Sequence, residues 1–200
     1  YNADKFLIED YDYWLRILFK YGNIGSIDKL LYKYRTHEIS LTNTKKKEIK
    51  IKLLNLRLEY IEKIIEHLKG RKDLLCEIFY DFKGANMLEK NLENKFLNLI
   101  PELRIDCGCM DNCLSVVYGA GEYGKMMYRR YSDIIKCYVD KNKCGLSIYD
   151  KKIVPLSMIK ELSKKYQILV ATNTRNIYSM LETLKKNNIN KCTVILSNDI

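Results

Sequence analysis

The sequence predicts an α/β chain in which a helical segment is joined to a small parallel sheet, and two observations carry that prediction. Through the middle of the chain, apolar residues recur at three- and four-residue steps, the period of amphipathic helices. Beyond residue 113, short apolar runs alternate with helix-length stretches, the pattern of parallel strands joined by right-handed crossovers. With 200 residues, 47% of them hydrophobic, the chain suits one large domain or two small ones and is apolar enough to build real cores.

In chain order, the first element is a helix from about Tyr11 to Tyr21, with Asp10 placed to cap it, Leu15, Leu18 and Phe19 on its apolar side, and Gly22 placed to end it. Trp14 reads as a packing residue of this helix. The stretches Ile24 to Ile27 and Leu30 to Arg35 read as strand or extended loop, being rich in β-branched and aromatic residues. From about Thr44 to Leu99 the chain reads as helical. Leu54, Leu58, Ile61, Ile65 and Leu68 form one stripe, and Ile49, Leu53, Leu56, Tyr60 and Ile64 an adjoining one, so the apolar face is broad. Gly70 breaks this helix. A second helical stretch carries Leu74, Leu75, Ile78, Phe79 and Phe82 up to an interruption at Gly84, and a third runs from Met87 to Leu99 with Pro101 at its exit.

The cysteine-rich connector Asp106-Cys-Gly-Cys-Met-Asp-Asn-Cys113 separates this helical part from the alternating part. Strands are predicted at Leu114 to Tyr118, Ile135 to Val139, Ile168 to Ala171 and Cys192 to Leu196, and helices at Tyr123 to Tyr131, Leu156 to Lys165 and Arg175 to Lys186. The expected product is a sheet of about four parallel strands with helices on both faces. The implied organisation is residues 1–43, a helical region 44–105, and an α/β domain 106–200.

Composition narrows the function classes. Two prolines and nine glycines exclude a collagen-like or low-complexity chain, and no apolar run reaches the roughly 18 residues of a membrane span. Seven irregularly spaced cysteines fit a reducing cytoplasm better than a disulfide framework. Cys107, Cys109 and Cys113 could offer thiolates to zinc, but the paired Cys-x-x-Cys spacing is absent and no His is near, so the plainer expectation is a reduced interdomain turn. The formal charge is +10, and ten Lys or Arg against four Glu lie between Lys45 and Lys72. A solvated helix face accounts for such a cluster, and an anionic lipid surface at the inner face of a membrane is the next expectation; nucleic acid is not expected, since no zinc finger or RNP signature accompanies the charge.

The residues Glu9-Asp-Tyr-Asp-Tyr-Trp-Leu-Arg16, about ten residues leading to Gly25, and Leu31-Tyr-Lys-Tyr-Arg-Thr-His-Glu-Ile-Ser40 form a compound pattern. On the carboxylates alone, a structural helix cap is the ordinary explanation. The whole pattern resembles the closing segment of family 2 glycosyltransferases of the GT-A type, over about Phe6 to Thr42. The resemblance implies that Asp10 acts as general base, taking the proton of an acceptor hydroxyl as its oxygen attacks the anomeric carbon of a nucleotide-sugar with inversion. It further implies that Glu9 orients the acceptor, and that Arg35 and His37 lie near the leaving diphosphate and its divalent cation, Mg or Mn, with His37 as a metal-side ligand. A loop pair held to the Glu9-Asp10 segment by salt bridges is the structural alternative for Arg35 and His37. Family members carry an Asp-x-Asp motif on an upstream half-sheet. Neither precedes Glu9, and the chain begins at Tyr1, so it reads as the end of a catalytic domain that is inactive without its donor half.

In the last region, Gly119-Ala-Gly121-Glu-Tyr-Gly124 stands between a predicted strand and a predicted helix, and Asp140 ends the next strand 21 residues after Gly119. Glycines there allow a tight turn and close approach of a phosphate to helix amides, and the acid stands where a ribose contact is expected, which predicts a Rossmann-like domain. The segment resembles the small N-terminal nucleotide-sugar-binding domain of bacterial sugar acyltransferases through Tyr118-Gly-Ala-Gly-x-x-Gly124, Val139-Asp140, Ile153-Val-Pro155 and Ile168-Leu-Val-Ala-Thr172. Three ligand states stay open: a nucleotide or nucleotide-sugar, a vestigial or protein-interaction module, and NAD. NAD is the least expected, because Glu122 sets a negative charge at the helix N-terminus and only about one mononucleotide-binding half is foreseen. The expected function is a glycosyltransferase part working with a nucleotide-sugar donor and a glycan or lipid-linked acceptor; the alternative is a non-catalytic nucleotide-binding or assembly module.

Overall fold

The computed structural model describes residues 3–22, 24–25, 28–29, 39–111 and 113–196. The chain divides into two compact units, Tyr1–Lys69 and Gly70–Ile200, so the predicted helical region 44–105 is shared between them.

The first unit is helical. A 3-10 turn at Ala3–Lys5 leads into α1 (Glu9–Tyr21). The N-cap is Ile8, which has no side-chain oxygen to offer, so Asp10 does not cap the helix as expected. Glu9 and Asp10 instead lie inside the first turn, where carboxylates are favoured by the helix dipole. Gly22 does end the helix, at φ 83° with its amide donating to the Leu18 carbonyl at 2.8 Å. The chain continues through α2 (Leu41–Thr44), α3 (Lys46–Glu59) and α4 (Ile61–His67). The core here is Ile8, Leu15 and Leu56, flanked by Tyr11, Phe19, Ile49, Leu53 and Tyr60. The predicted stripe Ile49-Leu53-Leu56-Tyr60 is thus the face that α3 turns toward α1. Trp14 departs from its expected packing role: it is 51% exposed, and its ring stands edge-to-face with that of Tyr13, at 5.8 Å between ring centroids.

The second unit starts with α5 (Lys72–Gly84), α6 (Lys90–Leu99) and a 3-10 turn at Pro101–Ile105. It continues with β1 (Ser115–Tyr118), α7 (Glu122–Tyr131), β2 (Ile135–Asp140), β3 (Ser147–Ile148), β4 (Lys151–Pro155), α8 (Ile159–Leu162), β5 (Gln167–Ala171), α9 (Thr174–Lys186) and β6 (Thr193–Ile195). The sheet order is β3-β4-β2-β1-β5-β6, parallel throughout except for the two-residue β3 on β4. This is a Rossmann-like α/β fold with six strands rather than about four. The added strand β4 escapes the sequence pattern because Lys151 and Lys152 open it and Pro155 closes it, leaving Ile153 as its one buried residue. The helix expected from Leu156 to Lys165 shrinks to a 3-10 turn at Leu156–Met158 and the single turn α8, in which only Ile159 is buried.

Both faces of the sheet are covered. Alternation along β1 sends Val117 into a core with Met127 of α7, Leu169 and Ala171, while Tyr118 points the other way, toward Thr183 of α9. α5 packs along α9. From β1 the chain moves to β2 on one side and later returns to β5 on the other, so the carboxyl ends of β1 and β5 form a topological switch point, the usual place for a ligand crevice in such sheets.

Candidate functional site

The turn after β1 is built by glycines with unequal tasks. Gly119 has φ 113°, its amide donates to the Val139 carbonyl at 2.9 Å, and a Cβ on it would collide with the Ala171 carbonyl oxygen. A Cβ on Gly124 would collide with the Gly119 carbonyl oxygen and press on the Tyr138 ring, whose hydroxyl donates to the Gly124 carbonyl at 3.0 Å. Gly121 differs from both. It is the N-cap of α7, its φ of -85° suits any residue, and a Cβ there would meet nothing within 4 Å. The fold therefore needs Gly119 and Gly124 to close the turn, while the space beside Gly121 is open.

That space belongs to a cleft of about 650 Å³ at the switch point, lined among others by Gly119, Gly121, Asp140, Lys141, Asn173 and Asn176. Two helices begin at it. The Asn173 side chain caps α9 by accepting from the Asn176 amide at 3.2 Å. No side chain caps α7, whose first-turn amides are the donors that an α-helix leaves without intrahelical partners. Glu122, foreseen as a negative charge at this end, pairs with Lys125 at 2.7 Å, and that hydrogen bond holds its carboxyl below the usual range.

Asp140 lies in the cleft wall with a carboxylate already engaged by backbone. Its Oδ2 accepts from the Ala120 amide at 2.9 Å, and its Oδ1 accepts from the amides of Asn142 at 2.8 Å and Lys143 at 3.2 Å. Lys143 Nζ donates back to the Ala120 carbonyl at 3.0 Å. Asp140 and Lys143 together fasten the glycine-rich turn to the turn after β2. The structure thus brings Gly119, Gly121 and Asp140 to one cleft, with Gly124 packed against the Gly119 carbonyl behind it. Lys143 and Asn173 join them unannounced, although Asn before a helical run is a readable cap signal.

In the first unit, Asp10 is exposed and Glu9 is half-buried, with its Oε2 buried and lacking a hydrogen-bond partner. Arg35 and His37 lie outside the described residues. The buried acid of α1 is Asp12, 4% exposed, which accepts from Arg16 Nε at 3.0 Å and from the Tyr60 hydroxyl at 3.4 Å. Its signal was the four-residue Asp12–Arg16 spacing. Burial and then the Asp12 charge push the Tyr60 hydroxyl above its ordinary value. Among the described residues no group of three or more His, Cys, Asp or Glu could hold a metal ion, and no described helix is long and apolar enough to cross a membrane. Comparisons with protein-family models, curated proteins and solved structures return no match for this chain.

Proposed function

We propose that the second unit binds a nucleotide or nucleotide-sugar at the carboxyl ends of β1 and β5, and that it does so in a glycosyltransferase whose acceptor base is Asp10. The observation that carries the binding half is Gly121, a glycine that the fold does not require, standing before an uncapped helix N-terminus in a cleft of nucleotide size. A diphosphate seated there accepts hydrogen bonds from the first-turn amides of α7, with the backbone able to approach closely because Gly121 carries no side chain. Lys141 adds positive charge to the wall. The Asp140 carboxylate, held by three backbone amides, is not offered freely to a ribose, so the anchor of the ligand is its diphosphate at the α7 amides. The sheet does carry strands on both sides of β1, more than the single half foreseen, so the preference for a nucleotide-sugar over NAD rests on the resemblance to the sugar acyltransferase domain and not on strand number.

For the transfer half, support comes from the compound motif and from the placement of its carboxylates. Asp10 stands exposed on the first turn of α1, where an acceptor hydroxyl can reach it. It takes the hydroxyl proton as the oxygen attacks the anomeric carbon, and the nucleoside diphosphate departs from the opposite face. The divalent cation that the resemblance implies would be held by His37 together with an Asp-x-Asp of the donor half, and would neutralise charge on the departing diphosphate.

Melting-temperature measurements with a panel of nucleotides, nucleotide-sugars and NAD test the binding half. A ligand at 100-fold its Kd adds about 2.7 kcal/mol, a shift of several degrees. Nucleotide-sugars should produce that shift and NAD should not, and Gly121→Val should erase it while leaving the ligand-free melt in place. A panel without any shift, or a shift that survives Gly121→Val, refutes the site. The transfer half is tested on a polypeptide that joins this sequence to a donor-binding segment with Asp-x-Asp. There Asp10→Asn should lower turnover by about 10²–10⁴-fold, and unchanged turnover would leave only the non-catalytic binding module.

A further inference from the structure

The cysteine-rich connector lies at the other end of the sheet from the glycine-rich cleft. The Cys107 amide donates to the Cys192 carbonyl at 2.9 Å, and the connector packs against Gln167 and Thr193, the first residues of β5 and β6. It is anchored by Asp106, whose side chain is 2% exposed. Asp106 Oδ1 accepts from the amides of Gly108 at 3.0 Å and Val194 at 3.1 Å, while Oδ2 accepts from Lys83 Nζ at 2.6 Å and the Tyr80 hydroxyl at 3.0 Å. Gly108, at φ 66°, then turns the chain so that two exposed thiols face each other, with Cys109 Sγ 3.8 Å from Cys107 Sγ.

The surroundings of Cys107 can stabilise a thiolate. Its Sγ lies 3.2 Å from Thr193 Oγ1, a hydroxyl that is also in hydrogen-bond contact with the Cys109 carbonyl. Gln167 Nε2 reaches that same carbonyl at 3.1 Å and Thr193 Oγ1 at 3.0 Å. When Cys107 loses its proton, the Thr193 hydroxyl can turn its hydrogen to the sulfur, because the amide of Gln167 keeps the carbonyl satisfied. The Cys109 thiol is a second donor to the same sulfur.

We propose that Cys107 and Cys109 form a redox-active dithiol that exchanges with a low-molecular-weight disulfide, Cys107 being the attacking thiol. The Cys107 thiolate attacks one sulfur of the small disulfide, forming a mixed disulfide and releasing one small thiolate. The Cys109 thiolate then attacks the Cys107 sulfur, closes the Cys107–Cys109 bond and releases the second small thiolate. Two protein thiols are oxidised, one small disulfide is reduced to two thiols, and the two protein protons end on them. A link spanning one residue at an exposed turn belongs with the labile, readily reduced disulfides.

Titration properties agree with these roles. Burial raises the Cys107 thiol, but the hydrogen bonds with Thr193 and Cys109 outweigh it, with Lys191 assisting, so it lies below its ordinary value. Cys109 is raised, first by its hydrogen bond to Cys107 and then by that residue's charge, with Asp111 adding to the effect. Other thiols are differently placed. Cys113 Sγ faces Gln167 Oε1 at 3.7 Å, and burial pushes Cys76 and Cys192 far above the thiol range.

The test treats the 200-residue chain with oxidised glutathione at neutral pH and maps the products by mass spectrometry. Wild type should lose two hydrogens and yield a Cys107–Cys109 peptide link; Cys113→Ser should do the same; Cys109→Ser should accumulate a single glutathione on Cys107. Thr193→Val should slow alkylation of Cys107 by iodoacetamide on the order of tenfold, as the loss of a hydrogen bond to a charged sulfur implies. A link between any other pair, glutathione spread alike over Cys107, Cys113 and Cys144 in Cys109→Ser, or an unchanged Cys107 rate in Thr193→Val overturns the proposal.

Discussion

Gly119, Gly121 and Gly124 belong to one motif yet answer to different demands, and alanine substitution separates them. At Gly119 the added carbon meets the Ala171 carbonyl and sits on a positive φ; at Gly124 it meets the Gly119 carbonyl. Both neighbours are backbone that cannot move aside cheaply, so each substitution should cost about 2–4 kcal/mol in urea unfolding. Gly121→Ala should stay within about 0.5 kcal/mol of wild type, and equal destabilisation at all three positions would mean that the open space beside Gly121 is not there. Asp140 gives a companion test. Because its carboxylate fastens two turns through Ala120, Asn142 and Lys143, Asp140→Ala should lower ligand-free stability by about 1–3 kcal/mol, whereas a residue reserved for ligand would leave it unchanged. The glycine spacing and Asp140 were legible in the sequence. Which glycine serves the fold was not, nor was the use of Asp140, since its partners are backbone amides that every residue carries. Asp10 failed as a cap for a related reason: Ile8 takes the N-cap position without a side-chain bond, and nothing in the residue types forbids that.

At the scale of elements, β1, β2, β5 and β6 and the helices α7 and α9 were legible to within one residue at each end, because each buries a continuous apolar face. Elements with a weaker face were misjudged. The helix expected from about Thr44 up to Gly70 is broken at Tyr60, which hydrogen-bonds Asp12 and stacks on Phe19 at 5.7 Å, a tertiary contact that the apolar period does not encode. The join between α5 and β6 was also missed, since it runs through a single buried carboxylate in a stretch that reads as a loop. Asp106 accepts from Tyr80 and Lys83 on α5 and from the Val194 amide in β6. Removing it strands a buried hydroxyl, a half-buried ammonium and a strand amide, so Asp106→Ala should cost about 3–5 kcal/mol. Tyr80→Phe, which leaves the acid its other donors, should cost about 1 kcal/mol. Hydrogen exchange at Val194 should accelerate in Asp106→Ala and not in Tyr80→Phe; similar exchange in both would place the anchor elsewhere.

For the molecule as a whole, the question is whether residues 70–200 contain everything their sheet needs. Parallel sheets are stable only when both faces are covered, and here one face has α7 while the other has α9 with α5 packed along it, all within Gly70–Ile200. The fully buried large side chains Tyr80, Phe82, Phe96, Tyr138, Ile168 and Leu169 also belong to this unit. The excised segment should therefore fold alone and melt in one cooperative transition. Every residue assigned to the nucleotide cleft is retained as well, and stabilisation by a ligand depends only on its concentration relative to the Kd of the folded site. A nucleotide-sugar that stabilises the 200-residue chain should thus add the same free energy to the excised unit, measured by urea unfolding with and without ligand. A broad, non-cooperative melt would mean that the sheet relies on residues 1–69. A cooperative melt without ligand stabilisation would mean that the site, and not the fold, relies on them.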